Sequence, residues 1–209
     1  MRALRYIIPI AFILIIAYNS VYFKKLDAIK SSRTAMEFNA KEYAQKFWTD
    51  KLIPNLHSAM DLGQLLALLR TEPPKAFETY SHALGIGNLR YFLVKGTGKI
   101  SSVNEDNITL STDTDSFRST ITVATQYIFG NAVRDATGLV NINEFSNTMD
   151  FNNVSSELNK IIREKVLPPL QSSVASGKVI EFTGAIELNK EHPDLAKIEI
   201  IPIELKIVQ

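Results

Sequence analysis

Residues 127–170 read YIFGNAVRDATGLVNINEFSNTMDFNNVSSELNKIIREKVLPPL, and this stretch joins two segments of different periodicity. It begins as the end of an alternating, strand-like segment and finishes as an amphipathic, helix-like one. Asn152 or Asn153 can cap the helical part, and Pro168-Pro169 can end it. We therefore predict a helix over residues 153–167 that separates two groups of strands.

The flanking segments alternate apolar and polar residues with a period of two, which is typical of strands. They are residues 89–103, 108–111, 119–129, 178–188 and 197–208. Gly184 predicts a bend or bulge, and Pro202 restricts the last strand to an edge or a bulge. The resulting order, β-β-β-α-β-β, is that of the five-stranded oligonucleotide/oligosaccharide-binding (OB) barrel. A plain α+β sandwich with the same order stays open as an alternative.

The fold class is therefore α+β, with a helical annex ahead of the barrel. The annex is predicted over residues 26–86, where apolar residues recur at helical spacing and Asp61 can cap a helix. The OB-like domain takes residues 87–209. An aromatic stripe in the annex, Tyr43, Phe47 and Trp48, is predicted to pack onto the rest of the domain.

Residues 6–23 form a run of 18 residues without a charge, with basic residues on both sides. A helix of this length spans about 27 Å, close to the hydrocarbon thickness of a bilayer. A cleaved signal peptide and a buried core helix are the alternatives, but no good small-x-small cleavage site follows the run. We expect residues 1–25 to form an uncleaved, single-span membrane anchor. The basic residues on both flanks leave its orientation open.

Composition excludes several classes of function. The net charge is +1, which disfavours a nucleic-acid partner because such proteins normally present a basic face to the phosphates. The sequence has no cysteine, which excludes disulfides, thiolate metal sites, cysteine nucleophiles and a lipid-modified cysteine. Signatures of catalysis and of metal binding are missing, so we expect no enzyme activity, no cofactor and no metal site. Catalysis by paired carboxylates alone leaves no sequence signature and stays open.

The loop between the third strand and the helix is rich in Asn and Asp, and it contains the candidate binding residues. Arg134 and Asp135 come first, as an oriented charge pair, and Asn147, Asp150 and Asn152 come second. In the structural alternative, the same residues supply turns and the helix cap. If the loop binds a ligand or a partner, Arg134→Ala should abolish binding with little loss of stability. A loss of several kcal/mol would instead favour the structural role.

Three runs in and after this loop carry a family resemblance. They are FGNAVRDATGLV at residues 129–140, NTMDFNNVSSELN at 147–159 and VLPPL at 166–170, with SVYFKKLD at 20–27 as a further match. They resemble an uncharacterised bacterial periplasmic lipoprotein family, domain-of-unknown-function family 2291. The resemblance implies an OB-like barrel with a helical part and association with sugar ABC-transport systems. Since no cysteine is present to carry a lipid, we expect the membrane helix to replace the lipid anchor.

The leading hypothesis is a membrane-anchored, extracytoplasmic binding or accessory module linked to sugar ABC transport. It places the chain in the inner membrane as a single-pass protein with its C-terminal domain in the periplasm. Its expected partners are the membrane and an ABC transporter or another envelope protein. One alternative is a structural scaffold of the envelope without a ligand pocket and with a partner surface around Phe47 and Trp48. The other is a hydrolase that uses two carboxylates.

Overall fold

A computed structural model of the chain describes residue 16 and residues 38–111, 119–171 and 173–208. The chain divides into two compact units, residues 1–38 and 39–209, and the architecture below belongs to the second. The predicted anchor lies outside the described residues, apart from Ile16. Within the described ranges, no helix is both long enough and apolar enough to cross a membrane.

The helical annex consists of short helices and two very short strands. In chain order they are α1 (Ala40–Lys46), a π-helical segment (Phe47–Leu52), a 3-10 segment (Ile53–Ser58), β1 (Met60–Asp61), α2 (Leu62–Thr71), α3 (Pro73–Tyr80) and β2 (Ser81–His82). Asp61 caps α2 as predicted, because its carboxylate accepts the N–H of Gln64 at 2.9 Å. β1 and β2 both pair with the first barrel strand, so they attach the annex to the sheet.

Five strands close into a barrel. They are β3 (Leu89–Val103), β4 (Asn107–Ser111), β5 (Thr120–Ala124), β6 (Val179–Asn189) and β7 (Lys197–Ile207). β4 pairs antiparallel with β3 and β5, β5 pairs parallel with β7, and β6 pairs antiparallel with both β7 and β3. The circle of pairings returns to β3, so these strands form a closed barrel. The predicted strand order and the OB-like barrel are confirmed.

The two predicted irregularities of the barrel meet at one point. The register of β6 on β7 shifts between Thr183 and Gly184, and Pro202 pairs with Gly184 at the shift. Pro202 has no N–H to donate, so a bulge is where it can be accommodated inside a sheet. A Cβ added to Gly184 would lie 2.6 Å from the carbonyl oxygen of Ile201, which explains why glycine stands here.

The third strand is shorter than its alternating pattern predicts. The sequence predicts a strand to residue 129, but β5 ends at Ala124. The N–H groups of Thr125 and Gln126 both donate to the carbonyl of Asp106, which turns the chain out of the sheet. Tyr127 and Phe129 are therefore exposed outside the barrel rather than on a strand face.

The barrel interior and the annex share one hydrophobic core. Apolar side chains of α2 and α3, including Leu65, Leu69 and Phe77, belong to the same buried cluster as Phe92 and Ile200 of the barrel. Phe77 and Phe92 meet edge to face, with ring centroids 5.3 Å apart. Phe47 is buried as well, which confirms its predicted packing role.

A second set of helices lies between β5 and β6. It comprises α4 (Ala132–Asp135), a 3-10 turn (Ile142–Glu144), α5 (Thr148–Ile161), a π-helical turn (Ile162–Val166) and α6 (Pro168–Gln171). The predicted start of the main helix at residue 153 is wrong, as is its predicted cap at Asn152 or Asn153. The cap is Asn147, whose extended backbone lets its side-chain oxygen accept the N–H of Asp150. α5 packs against α1, and α4 packs against β3 and β6.

Candidate functional site

Arg134 and Asp135 form a buried ion pair on α4. Nε of Arg134 donates to Oδ1 of Asp135 at 2.6 Å, and Nη2 donates to Oδ2 at 3.0 Å. Both side chains are only 2% exposed. Nη1 donates to the carbonyl oxygen of Phe151 at 3.2 Å, and the guanidinium carbon lies 3.3 Å from the centre of the Phe151 ring. These contacts fix α4 against α5, so the pair has the partners that a structural role requires.

The same pair also borders a cavity of about 280 Å³, which we name the charge-lined cavity. Residues of the segment 83–89 line one part of it, and its other walls include Tyr91, Asn131, Arg134, Asp135 and Phe151. Burial, together with the carboxylates of Glu187 and Asp135, raises the pKa of Tyr91 to about 12. Arg134 and Asp135, the first candidate binding residues predicted from the sequence, thus form a structural ion pair and also lie on a cavity wall.

Asn147 and Asp150 form the cap of α5. The side-chain oxygen of Asn147 accepts the N–H of Asp150 at 2.9 Å, and its amide donates to the Asp150 carboxylate at 2.8 Å. One free N–H group of the first helical turn, that of Asp150, thereby has a side-chain acceptor, and the amide–carboxylate hydrogen bond holds the two side chains together. These hydrogen bonds give Asn147 and Asp150 a structural role at the start of α5.

Asn152 lies elsewhere, at a second cavity of about 350 Å³ between α5 and the loop 128–131. We name this cavity the amide cleft. Its walls include Phe129, Asn131, Asn152, Ser156, Asn159 and Arg163. Asn152, Ser156, Asn159 and Arg163 follow helical spacing along α5 and its continuation, so they form one polar stripe.

Three hydrogen bonds hold the opposite wall of the amide cleft in place. Asn159 donates to the carbonyl of Gly130 at 2.9 Å, and Arg163 donates to the carbonyl of Ile128 at 2.7 Å. Ser155 donates to the side-chain oxygen of Asn131 at 2.9 Å. The loop 128–131 is therefore fixed to the helix. Asn152 and Ser156 are exposed, and the part of the chain that the structure describes offers their side chains no hydrogen-bond partner.

An aromatic pair stands at the edge of the amide cleft. Tyr127 is 59% exposed and Phe129 is 68% exposed, and their rings stack with centroids 6.3 Å apart and planes inclined by 27°. Exposed aromatic pairs beside a polar cleft mark binding surfaces more often than isolated apolar side chains do. Sequence reasoning missed these two residues because their alternation with polar neighbours predicted a strand. A predicted helix that started at Thr148 would have included Asn152, and helical spacing would then have placed Asn152 on the same face as Ser156, Asn159 and Arg163.

A third cavity is larger, at about 420 Å³, but its lining residues do not indicate a particular class of ligand. It lies near the β3–β4 hairpin, with Ile108, Leu170 and Val174 on one side and Asn104 and Glu105 on the other. Neither an aromatic ring nor a cation is among its lining residues in the described ranges. Over those same ranges, no three His, Asp or Glu side chains gather closely enough to hold a metal ion. The amide cleft and the charge-lined cavity are therefore the two sites with specific chemistry.

Comparison with known proteins identifies the family. A family model described as "predicted periplasmic lipoprotein", domain-of-unknown-function family 2291, matches residues 11–206. The chain belongs to this family. The description of the family as predicted periplasmic lipoproteins indicates a location in the cell envelope. The resemblance to this family that the sequence analysis described is confirmed.

A solved structure supports the fold in detail. The crystal structure of an OB-fold protein from Thermotoga maritima MSB8, at 1.90 Å resolution, is 29% identical in sequence to this family member. It superposes with a TM-score of 0.72 and covers 82% of this chain and 99% of its own. No protein with a curated description matches the sequence. The family and the barrel are thus shown, and neither comparison names a ligand.

Proposed function

We propose that this family member is a membrane-anchored, extracytoplasmic binding module that holds a saccharide in the amide cleft. The exposed Tyr127–Phe129 pair beside a helix stripe of amide, hydroxyl and guanidinium groups carries the proposal. Binding pockets typically combine apolar or aromatic walls with a few convergent polar groups. The arrangement at the amide cleft has both components.

The chemistry of the cleft fits a polyhydroxylated ligand. A sugar ring has an apolar C–H face, which packs on an aromatic ring, and hydroxyl groups around its edge that both donate and accept. The Asn152 amide and the Ser156 hydroxyl each supply a donor and an acceptor, so they match hydroxyl groups in either role. Arg163 adds further donors while its Nη1 holds the carbonyl of Ile128. Among the described residues that line the cleft there is no Asp or Glu, which favours binding over hydrolysis by paired carboxylates.

The anchor and the partner complete the proposal. Residues 6–23 would hold the domain at the periplasmic face of the inner membrane, where a sugar ABC transporter receives its substrate. The envelope location of the family supports this placement. We expect affinity capture of the crosslinked, full-length protein from its native membranes to recover a transporter subunit. Recovery of envelope structural proteins alone would favour the scaffold alternative.

Calorimetric titration tests the binding step directly. The full-length protein in detergent micelles is titrated with ribose, glucose, galactose, cellobiose and N,N′-diacetylchitobiose. We expect at least one of these sugars to bind, and we expect Phe129→Ala and Asn152→Ala each to weaken that binding by about tenfold or more.

Two matched controls separate the cleft from the general surface. Tyr80→Ala removes an aromatic ring that is 40% exposed on α3, and Asn153→Ala removes an exposed amide next to Asn152 that does not line the cleft. Both controls should leave the dissociation constant within about twofold of the wild-type value. If no sugar of the set binds, or if the controls weaken binding as much as the cleft variants, the proposal fails.

A further inference from the structure

The two ends of the amide cleft differ in their chemistry. At one end, Nη1 of Arg163 donates to the carbonyl oxygen of Ile128 at 2.7 Å. The loop residue that accepts this hydrogen bond is thus the neighbour of Phe129, which carries the exposed ring. At the other end lies Asn152, about three helical turns away along α5 and its continuation. The cleft therefore has a cationic end beside the aromatic loop and an uncharged amide end.

The guanidinium of Arg163 is not neutralised by the protein. Over the part of the chain that the structure describes, no ion pair includes Arg163, and the adjacent Glu164 pairs with Lys160 at 3.9 Å. Its Nη1 is the nitrogen that has a protein partner, so the edge formed by Nε and Nη2 is open to a ligand. Arg134 presents this same edge to both carboxylate oxygens of Asp135.

The other groups of the cleft do not offset this charge. Among the described residues that line it, Arg163 is the one charged residue, and the other polar side chains are amides and hydroxyls. A cation on a concave surface attracts anions, because low-dielectric walls focus its field. A sugar with a negative group therefore gains a charge-assisted hydrogen bond that a neutral sugar lacks, and an amino sugar is repelled.

A carboxylate fits this guanidinium better than a phosphate does. The planar fork of an arginine makes two parallel hydrogen bonds to the two oxygens of a carboxylate. A carboxylate also carries one negative charge, which one guanidinium balances. A phosphate monoester carries a charge of about −1.5 to −2 at neutral pH, and no second cation lines the described part of the cleft.

We propose that the saccharide held in the amide cleft is a uronate, a sugar that carries a carboxylate in place of its terminal hydroxymethyl group. The carboxylate binds Nε and Nη2 of Arg163, the C–H face of the ring packs on Phe129, and the hydroxyl groups face Ser156 and the amide end. This inference rests on the proposed saccharide site, and it names the class of sugar that the site selects.

Calorimetric titration of the full-length protein in uncharged detergent micelles tests the inference with sugars that differ at one carbon. Glucose, glucuronate and glucose 6-phosphate form one series, and galactose, galacturonate and galactose 6-phosphate form the other. In at least one series, we expect the uronate to bind at least tenfold more tightly than the neutral sugar. The 6-phosphate should bind more weakly than the uronate. Added salt should reduce the advantage of the uronate, because it screens the charge of the guanidinium.

Three variants make the test specific to the cationic end. The readout is the ratio of the dissociation constants of the neutral sugar and the uronate, because loss of the hydrogen bond to Ile128 would weaken both sugars alike. Arg163→Gln removes the charge and should bring this ratio to about one. Lys165→Gln removes the same charge from an exposed residue that does not line the cleft, and it should leave the ratio unchanged. Ser156→Asp adds a carboxylate at an exposed position of the cleft and should weaken the uronate at least tenfold more than the neutral sugar.

The outcomes separate this inference from the proposed function. The inference is overturned if the uronate binds no more tightly than the neutral sugar, or if the 6-phosphate binds as tightly as the uronate. It is also overturned if the advantage of the uronate survives Arg163→Gln. Neutral sugars that bind as tightly as the uronates would leave the proposed function intact without this selectivity. If none of the sugars binds, the proposed function fails, and the inference fails with it.

Discussion

Replacing Arg134 by alanine tests how the buried ion pair contributes to the fold. The substitution leaves the Asp135 carboxylate without a partner at a position where the side chain is 2% exposed. It also removes the hydrogen bond to the carbonyl of Phe151 and the contact with the Phe151 ring. The sequence analysis expected Arg134→Ala to cost little stability if the loop binds a ligand, but the burial of both charged side chains changes that expectation. We now expect the free energy of unfolding to fall.

The size of the loss follows from the environment of the pair. Removing one partner of a buried ion pair costs about 3–5 kcal/mol, because the remaining charge is left desolvated. At about 2–4 °C per kcal/mol for a protein of this size, the melting temperature should fall by about 6–20 °C. Replacing both charges, as in Arg134→Met with Asp135→Leu, should recover most of the loss because apolar side chains of similar volume tolerate burial.

Urea unfolding and thermal melting, both followed by far-ultraviolet circular dichroism, measure the effect. The control is Lys160→Ala, which breaks an exposed ion pair with Glu164 at 3.9 Å and should cost less than about 1 kcal/mol. A loss of less than about 1 kcal/mol in Arg134→Ala would show that the buried ion pair does not stabilise the fold. A double variant no more stable than Arg134→Ala would show that the unpaired Asp135 carboxylate is not the cause of the loss.

The remaining predictions concern a glycine, a helix cap and a buried tyrosine. Gly184→Ala should destabilise the barrel by about 2 kcal/mol or more in urea unfolding because its Cβ would meet a backbone carbonyl at 2.6 Å, whereas Gly85→Ala meets nothing within 4 Å and should be nearly neutral. Asn147→Ala should cost about 1 kcal/mol by loss of the α5 cap, and Asn153→Ala, inside the helix, should cost less; equal losses would argue against the cap. The fold raises the pKa of Tyr91 from 10.0 to about 12. The protonated Tyr91 hydroxyl therefore contributes fully to the free energy of unfolding below pH 10, and this contribution is lost as the pH rises to 12. The wild type should therefore lose up to about 3 kcal/mol over that interval in urea unfolding, and Tyr91→Phe should lose measurably less.

The strand order was readable from the sequence because each barrel strand alternates apolar and polar residues. Gly184 and Pro202 also marked their bulge correctly, since proline cannot donate to a sheet and glycine admits the close approach of β7. The parallel pairing of β5 with β7, which closes the barrel, was not readable. It depends on residues 77 positions apart along the chain, such as Thr120 and Lys197, and no local pattern encodes such a contact.

The candidate sites were only partly readable, for two physical reasons. Arg134 and Asp135 are consecutive, and neighbours in a helix do not normally face each other, so periodicity could not predict their bidentate contact. Tyr127 and Phe129 continue the alternation of β5, and only the turn at Asp106 shows that they leave the sheet. Asn152 was predicted as a binding residue because it is one of the polar residues of the loop. The structure places it at a cleft with Ser156, Asn159 and Arg163, which the sequence analysis did not select.

Photo-crosslinking shows where on the chain a saccharide binds. A diazirine-bearing derivative of the sugar that binds in the calorimetric titration is irradiated with the full-length protein, and the labelled peptides are identified by mass spectrometry. We expect labelling within residues 127–131 and 152–163 that the free sugar competes and that Phe129→Ala reduces. Labelling confined to other parts of the chain, or labelling that the free sugar does not compete, would contradict it.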